Sequence, residues 1–294
     1  MSLTARPVAW AGGTAMAYED AGPGAGLPPA VLLSGMGVAA AGWWEGPDAH
    51  QRDRVLERPW AGPALLPALA ARRRVLTYDR AGLGASTPPH APRGPDDYLA
   101  ELAAVLDALD VRGPALLVGH SLGGLLAYAW ARRCPERVAG LLLLDPSHPQ
   151  QGLHLGTGGA AAPGEVRHPE WPDRTRLFRG GVPAPAPGDL GALPLIVLSR
   201  GQWQTPEQVR RRVPGSTLTQ QDLDHRAQVM ARLHAEYAAA SSCGRWLVAR
   251  GSGHFIHLDR PGLCLAAVRC LEAQAPALAC APGETSASSK SRTS

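Results

Sequence analysis

The sequence predicts an α/β protein with a mostly parallel central sheet and helices on both faces, and two observations support this prediction. Short apolar runs bounded by turn residues are typical of buried parallel strands. Stretches with helical periodicity separate them, and such alternation indicates a parallel sheet. The predicted strands are Ala30–Leu33, Val75–Tyr78, Ala115–Val118, Leu141–Leu144, Leu193–Leu198 and Arg245–Ala249. The predicted helices include Asp97–Leu109, Leu122–Arg133 and Leu223–Ala240.

The composition is that of an ordinary globular protein. The 294 residues are enough to bury one substantial core, and 45% of them are hydrophobic while 18% are charged. Every apolar run is too short for the roughly 20 residues that cross a bilayer. Residues 1–13 lack the apolar segment and cleavage site of a secretory signal. We therefore expect a cytoplasmic protein that does not bind membranes.

The charge and the cysteines exclude two other classes. The net charge of +4 is spread along the chain, and the short basic runs Arg72–Arg74 and Arg210–Arg212 are expected to lie on solvated faces. Nucleic-acid binding is therefore not expected. The five cysteines are odd in number and form no Cys-x-x-Cys pair, which argues against a zinc site and a disulfide framework. No sequence feature indicates the oligomeric state.

The chain is predicted to form one core with an insertion. Residues 1–146 and 193–280 are assigned to the core, in which Pro7–Glu19 forms an antiparallel hairpin at the sheet edge. Residues 147–192 are rich in Gly, Pro, His and Trp without periodicity, and we expect them to form a loop-rich lid over the carboxyl edge of the sheet. The tail, residues 281–294, is expected to be disordered because of its Ser, Thr and Gly content.

One motif indicates nucleophilic chemistry. Gly119-His120-Ser121-Leu122-Gly123 matches the nucleophile elbow, a sharp turn from strand to helix that exposes the serine hydroxyl. The pattern alone is weak in a chain with 34 glycines, but a predicted strand precedes it and a predicted helix follows it. The alternative is a glycine-rich turn with an idle serine.

Two further motifs give a resemblance to a known family. The segments Asp79-Arg80-Ala81-Gly82-Leu83-Gly84-Ala85-Ser86 and Gly251-Ser252-Gly253-His254-Phe255 flank the elbow in the order found in α/β-hydrolases. From about residue 7 to 275 the chain resembles the esterase, haloperoxidase-like and haloalkane-dehalogenase-like branch. The resemblance implies an α/β-hydrolase fold and a serine hydrolase. Dehalogenases and epoxide hydrolases carry aspartate at the elbow, so Ser121 disfavours their reactions. The loop from Asp79 is expected to be structural.

A serine hydroxyl needs a base, and a histidine suits that role near neutral pH. His254 is the predicted base because it follows the last predicted strand, in the family's chain order of serine, acid and histidine. His257 is the nearest alternative. Since Leu258-Asp259-Arg260-Pro261 follows it, His257 is expected to support the loop or to start the final helix.

The predicted acid is Asp145, which directly follows the apolar run Leu141–Leu144 and lies 24 residues beyond Ser121. This placement resembles the family arrangement with the acid after strand six. The usual place, after strand seven, offers only Glu207 at its far end, and Glu207 stays open as the alternative. Asp145 could also be a structural carboxylate that caps local amides beside Pro146.

Acyl transfer also needs hydrogen-bond donors for the developing oxyanion. We expect the Leu122 amide to be one donor. Similarity to the family's His-Gly-x motif assigns the Met36 amide as the other, although Ser34 replaces the usual histidine, which puts the support of this loop in doubt. Trp44 and Trp203 are candidates for lining a substrate pocket, but core or lid packing explains them almost equally well.

Together these observations predict a serine hydrolase with a Ser-His-Asp triad that acts on an ester or related acyl bond of a small to medium, fairly apolar substrate. No metal or organic cofactor is expected. Thioesters, lactones, amides and perhydrolysis stay open. The alternative is a protein of this fold that binds a small ligand or a partner without turnover.

Overall fold

The computed structural model describes residues 6–9, 14–24, 26–44, 64–156 and 168–274, and the structural statements below refer to these ranges. The strands are β1 (Arg6–Ala9), β2 (Ala15–Ala21), β3 (Ala30–Leu33), β4 (Val75–Tyr78), β5 (Ala115–His120), β6 (Val138–Leu144), β7 (Leu195–Arg200) and β8 (Gly244–Ala249). The helices are α1 (Leu65–Ala70), α2 (Pro95–Ala108), α3 (Leu122–Arg133), α4 (Gln151–Leu155), α5 (Arg174–Phe178), α6 (Pro206–Arg212), α7 (Gln220–Ala239), α8 (Ile256–Asp259) and α9 (Pro261–Gln274). The tail at 281–294, predicted to be disordered, lies outside the described residues.

In the described part of the chain the strands form one eight-stranded sheet in the order β1-β2-β4-β3-β5-β6-β7-β8. The strands from β3 to β8 are parallel to their neighbours, whereas β1 and β2 are antiparallel and extend the sheet beyond β4. The predicted α/β class, the mostly parallel sheet and the hairpin at its edge are therefore confirmed.

The core lies on both faces of this sheet. Successive side chains of a strand point to opposite faces, so each buried parallel strand supplies two cores. On one face Val31, Leu117 and Leu143 pack against α2 and α3. On the other face Leu32 and Val118 pack against α1 and α9. β3 shows the result, because all four of its residues, Ala30–Leu33, are apolar and buried.

Two sequence predictions need correction. The strand predicted from Leu193 begins at Leu195, because Pro194 precedes it and has no N–H for the sheet ladder. The run Arg72–Arg74 does not lie wholly on a solvated face. The Arg73 side chain is 2% exposed and pairs with Glu272 on α9, which supplies the counter-charge that its burial requires.

No helix in the described ranges is both long enough and apolar enough to cross a membrane.

The start of α3 fits closely under the end of β3. A Cβ atom at Gly123 would overlap the carbonyl oxygen of Leu33, a backbone atom that cannot move aside without distorting the sheet. A Cβ atom at Gly262, on α9, would instead lie in open space. The two helical glycines therefore form a matched pair: a side chain is sterically excluded at Gly123 and accommodated at Gly262.

We expect Gly123→Ala to lower the free energy of unfolding by about 3 kcal/mol, the upper end of the usual cost of overpacking. Gly262→Ala is expected to change it by less than about 1 kcal/mol, because helical glycine gains from a methyl group. Urea unfolding of both variants checks this. Equal stabilities would contradict the close approach of α3 to β3.

Candidate active site

The candidate catalytic side chains come from four neighbouring strands at one edge of the sheet. Ser121 follows β5, Asp145 follows β6, Arg200 ends β7, and the loop after β8 carries His254. The Ser121 amide donates to the Leu144 carbonyl at 3.0 Å, and the Asp145 amide donates to the Leu198 carbonyl at 2.6 Å. The hydrogen bonding between the parallel strands therefore continues to Ser121 and Asp145 and fixes the spacing of these two residues.

Ser121 stands in a strained backbone conformation. Its φ of 53° and ψ of −117° lie outside the regions that side chains favour, and it directly precedes α3. The turn is possible because its flanks are small: a Cβ at Gly119 would overlap the carbonyl oxygen of Gly123. The loop after β3 also approaches the serine, since a Cβ at Gly35 would be 3.3 Å from the Ser121 Cβ. The segment from Gly119 to Gly123 therefore has the geometry of a nucleophile elbow.

Asp145 and His254 are in direct contact. The Nδ1 atom of His254 lies 2.5 Å from Oδ2 of Asp145, across 109 residues of sequence. Asp145 is nearly inaccessible to solvent, whereas the imidazole is partly exposed. A carboxylate accepts hydrogen bonds, so Nδ1 is the donor and Nε2 retains the lone pair that a general base requires.

The backbone of the histidine loop is also held. His120 Nε2 lies 3.0 Å from the carbonyl oxygen of His254, and because a carbonyl can only accept, His120 donates. Burial lowers the pKa of His120 well below its ordinary value, with smaller contributions from the two neighbouring histidines. His120 is therefore neutral and supports the loop without carrying charge into the site.

Asp145 is ionised because it has a cationic neighbour. Burial alone would raise its pKa, but the charge of Arg200 and the hydrogen bond from His254 outweigh that effect and hold the pKa well below its ordinary value. The Arg200 backbone N–H donates to Oδ1 at 2.9 Å, and its Nε donates to Oδ2 at 2.6 Å. Asp145 therefore has the charge and the orientation expected of a triad acid.

The alternatives to His254 and Asp145 lie elsewhere. His257 is in α8, where its ring packs on Trp43 at a centroid distance of 4.4 Å. Burial lowers the pKa of His257 to about 3, consistent with the supporting role predicted for it. Glu207 is on α6, its side chain is 72% exposed, and it pairs with Arg211 on the same helix at 3.2 Å. The geometry favours Asp145 over Glu207 as the acid.

The loop from Ser34 to Gly37 is held at both ends by hydrogen bonds. Trp43 Nε1 donates to the Ser34 hydroxyl at 2.8 Å. The Arg80 guanidinium donates to the Ser34 and Gly35 carbonyls at 2.7 and 2.6 Å. The Gly37 amide donates to Glu170 at 2.7 Å. This loop, which contains Met36, therefore has the support that the replacement of the usual histidine by Ser34 had put in doubt.

Arg80 and Glu170 form a buried ion pair that sequence reasoning missed. Arg80 Nε lies 2.6 Å from Oε1 of Glu170, and both side chains are almost fully buried. Burial would raise the pKa of Glu170, but the charge of Arg80 and the hydrogen bonds to Glu170 lower it. The loop from Asp79, predicted to be structural, thus supports the candidate oxyanion loop directly.

The segment around Glu170 has a second buried anchor. Asp173 accepts a hydrogen bond from the Tyr98 hydroxyl at 2.7 Å and from the Arg93 amide at 2.7 Å. Arg93 also pairs with Glu101 on α2 at 2.5 Å. Part of the insertion between β6 and β7 is therefore fixed to the core by acidic residues.

The remaining predicted residues are placed as follows. Leu122 is the first residue of α3, so its N–H has no acceptor within the helix. Met36 is partly buried against the core on the α3 side of the sheet, and Trp44 packs on the opposite core. Trp203 lies over Arg200, with the guanidinium carbon 4.5 Å from the ring centroid. Through Arg200, Trp203 is linked to the Asp145–His254 pair.

A second hydroxyl lies beside the candidate nucleophile. Ser147 Oγ is 3.4 Å from Ser121 Oγ, and the Ser147 amide donates to the Ser121 carbonyl at 2.9 Å. The Tyr237 hydroxyl on α7 donates to the Ser147 carbonyl at 2.7 Å, which fixes this residue. No sequence pattern marks Ser147, because its contact with Ser121 is visible only in the folded chain.

A family model described as the alpha/beta hydrolase family matches residues 30–267, a range that includes Ser121, Asp145 and His254. The chain belongs to the α/β hydrolase family. This α/β hydrolase also has curated relatives, each similar over part of its length.

Three of these relatives are informative. The protein YqjL of Bacillus subtilis is 28% identical over 64% of this chain and 68% of its own. A putative carbamate hydrolase, RutD, of Azorhizobium caulinodans is 34% identical over 47% of this chain and 44% of its own. A 2-hydroxy-6-oxo-2,4-heptadienoate hydrolase of Pseudomonas putida is 35% identical over 46% and 42%. The chain thus matches less than half the length of the latter two.

Solved structures share the fold. The meta-cleavage product hydrolase CumD of Pseudomonas fluorescens is 18% identical, with a TM-score of 0.60 over 93% of this chain and 99% of that one. A thermophilic esterase of Thermogutta terrifontis is 18% identical, with a TM-score of 0.57 over 93% and 100%. At this identity the likeness establishes the α/β-hydrolase fold, as the sequence predicted.

We expect Glu170→Gln to lower the free energy of unfolding at pH 7 by about 3 to 5 kcal/mol, because it leaves the Arg80 charge buried without its partner. The exposed Glu207→Gln is the matched control and is expected to cost less than about 1 kcal/mol. Urea unfolding of both variants measures the difference.

The cost of Glu170→Gln also depends on pH. The pKa of Glu170 is lowered in the folded state, so its stabilisation is complete above the ordinary glutamate value of about 4.3 and is lost as the pH falls through the folded pKa. The difference in the free energy of unfolding between wild type and Glu170→Gln is therefore expected to become smaller below about pH 4.3. A gap that is constant with pH would contradict the ion pair.

Proposed function

We propose that this chain is a serine hydrolase that cleaves an ester or related acyl bond of a small to medium, fairly apolar substrate. The observation that supports this most is the 2.5 Å contact between Asp145 and His254, at the sheet edge that also presents Ser121 in a strained turn. A partly exposed serine hydroxyl, a buried carboxylate and an imidazole, in that order along the chain, are the components of acyl transfer.

The reaction would proceed in two halves. Ser121 Oγ attacks the carbonyl carbon while His254 Nε2 takes its proton, and the carbonyl oxygen becomes an oxyanion. The imidazolium then gives that proton to the leaving alcohol as the carbon–oxygen bond breaks, which leaves an acyl group on Ser121. A water molecule, deprotonated by His254, then attacks the acyl group. The bond to Ser121 Oγ breaks, His254 returns the proton to that oxygen, and the acid is released.

Each remaining residue has a role in this proposal. Asp145 orients His254 and stabilises the imidazolium, while the amides of Met36 and Leu122 donate to the oxyanion. The insertion at 147–192 acts as a lid, and Trp44 and Trp203 line the substrate pocket. The scissile bond could also be a carbamate, since one relative carries the name of a carbamate hydrolase.

Labelling tests the nucleophile. A fluorophosphonate probe, which reacts with activated serine hydroxyls, is expected to label the wild-type protein, and Ser121→Ala is expected to abolish labelling. Ser147→Ala is the control for the neighbouring hydroxyl and is expected to retain it. An unlabelled wild type would instead favour a ligand-binding protein without turnover.

Kinetics on a reporter ester test the acid. Asp145→Asn is expected to lower kcat by about 10³- to 10⁴-fold, because His254 loses the partner that fixes its tautomer. Glu207→Gln is expected to change kcat by less than about threefold, as for an exposed residue outside the site. The reverse ranking would identify Glu207 as the acid.

A further inference from the structure

Arg200 contacts both Asp145 and His254, and no sequence motif predicted this. It ends β7, next to the strand that carries Asp145, and donates to both carboxylate oxygens of that residue. Its Nη2 atom is also 2.8 Å from Nδ1 of His254. The guanidinium therefore lies against the acid and the base at once.

The hydrogen bonds at Nδ1 of His254 cannot all form together. While Nδ1 carries a proton and donates to Asp145, it has no lone pair to accept from Arg200. Arg200 then places a permanent positive charge beside an N–H group. This contact is unfavourable for the neutral ring and more unfavourable for the imidazolium, because like charges at close range repel.

Other titratable groups lie near Arg200 and His254 in the described residues. The titratable neighbours are His120 at the end of β5, His257 in α8, His234 on α7 and Asp259, which accepts from the Gly253 amide at 2.7 Å. Burial lowers the pKa of all three histidines, so none of them carries a charge near neutral pH. Arg200 is thus a cation in direct contact with the ring.

The position of Arg200 is fixed from its other side. The Trp203 ring lies 4.5 Å from the guanidinium carbon, a cation–π distance, and Trp203 packs on apolar residues of α7. The side chain is 21% exposed, so solvent reaches it without displacing it from Asp145. The charge therefore stays next to His254.

We propose that Arg200 is a positioning residue of this site: it orients Asp145 through paired hydrogen bonds, and its charge keeps His254 unprotonated, and so active as a base, to lower pH. The proposal rests on the proposed function for its catalytic meaning. Its electrostatic part, the coupling between Arg200 and His254, holds whether or not the protein turns over substrate.

Two kinds of substitution separate the charge from the geometry. Arg200→Met and Arg200→Gln remove the charge, and two are made because one of them could fail to fold. Arg200→Lys keeps the charge but loses the planar fork that binds the carboxylate. Arg211→Met, on the exposed face of α6, is the matched control for loss of an arginine.

The pH dependence of kcat/KM on a reporter ester is the first measurement. Without the cation the imidazolium is stabilised, so the neutral variants should shift the midpoint of the acidic limb upward by about 1 pH unit. Arg200→Lys should leave the midpoint near that of wild type while lowering kcat about tenfold. Arg211→Met should change neither.

The second measurement does not depend on turnover. An NMR titration of the His254 imidazole, assigned with His254→Asn, should show the same upward shift in the variant that lacks the charge. An unmoved or lower midpoint in a folded neutral variant would overturn the proposal. A shifted imidazole in a protein without hydrolase activity would retain the coupling and reject the proposed function alone.

Discussion

The carboxylate of Asp145 is the group on which the geometry of the site depends. It is buried, yet it accepts hydrogen bonds from the backbone and side chain of Arg200 and from the His254 imidazole. A buried charge is costly unless it is paired and hydrogen-bonded. The same contacts that pay this cost also set the tautomer of His254, so the stability of the carboxylate and the basicity of the imidazole arise together.

A second buried ion pair, between Arg80 and Glu170, stabilises the loop that carries Met36. Arg80 binds two carbonyl oxygens of that loop, and Glu170 binds one of its amides. Because Glu170 belongs to the insertion between β6 and β7, the conformations of the insertion and of the candidate oxyanion loop are joined. A displacement of the insertion at Glu170 would therefore also remove the hydrogen bond that holds the Gly37 end of the loop.

The sequence predicted the fold well because local patterns encode it. The runs Ala30–Leu33 and Val75–Tyr78 match β3 and β4, since strands buried on both faces read as continuous apolar residues. No sequence pattern predicted the contacts made by Arg80, Glu170 and Arg200, because each is a single charged residue without periodicity. Arg80 and Glu170 are 90 residues apart, and only the folded sheet shows that they meet.

In the proposed reaction Ser121 forms a covalent bond with the acyl group of the substrate. This acyl-enzyme can be trapped by acid quenching during turnover of a reporter ester and located by mass spectrometry of the digested protein. The expected result is an acyl mass on the peptide that contains Ser121, absent from Ser121→Ala. An acyl group on another residue, or turnover that persists in Ser121→Ala, would contradict it.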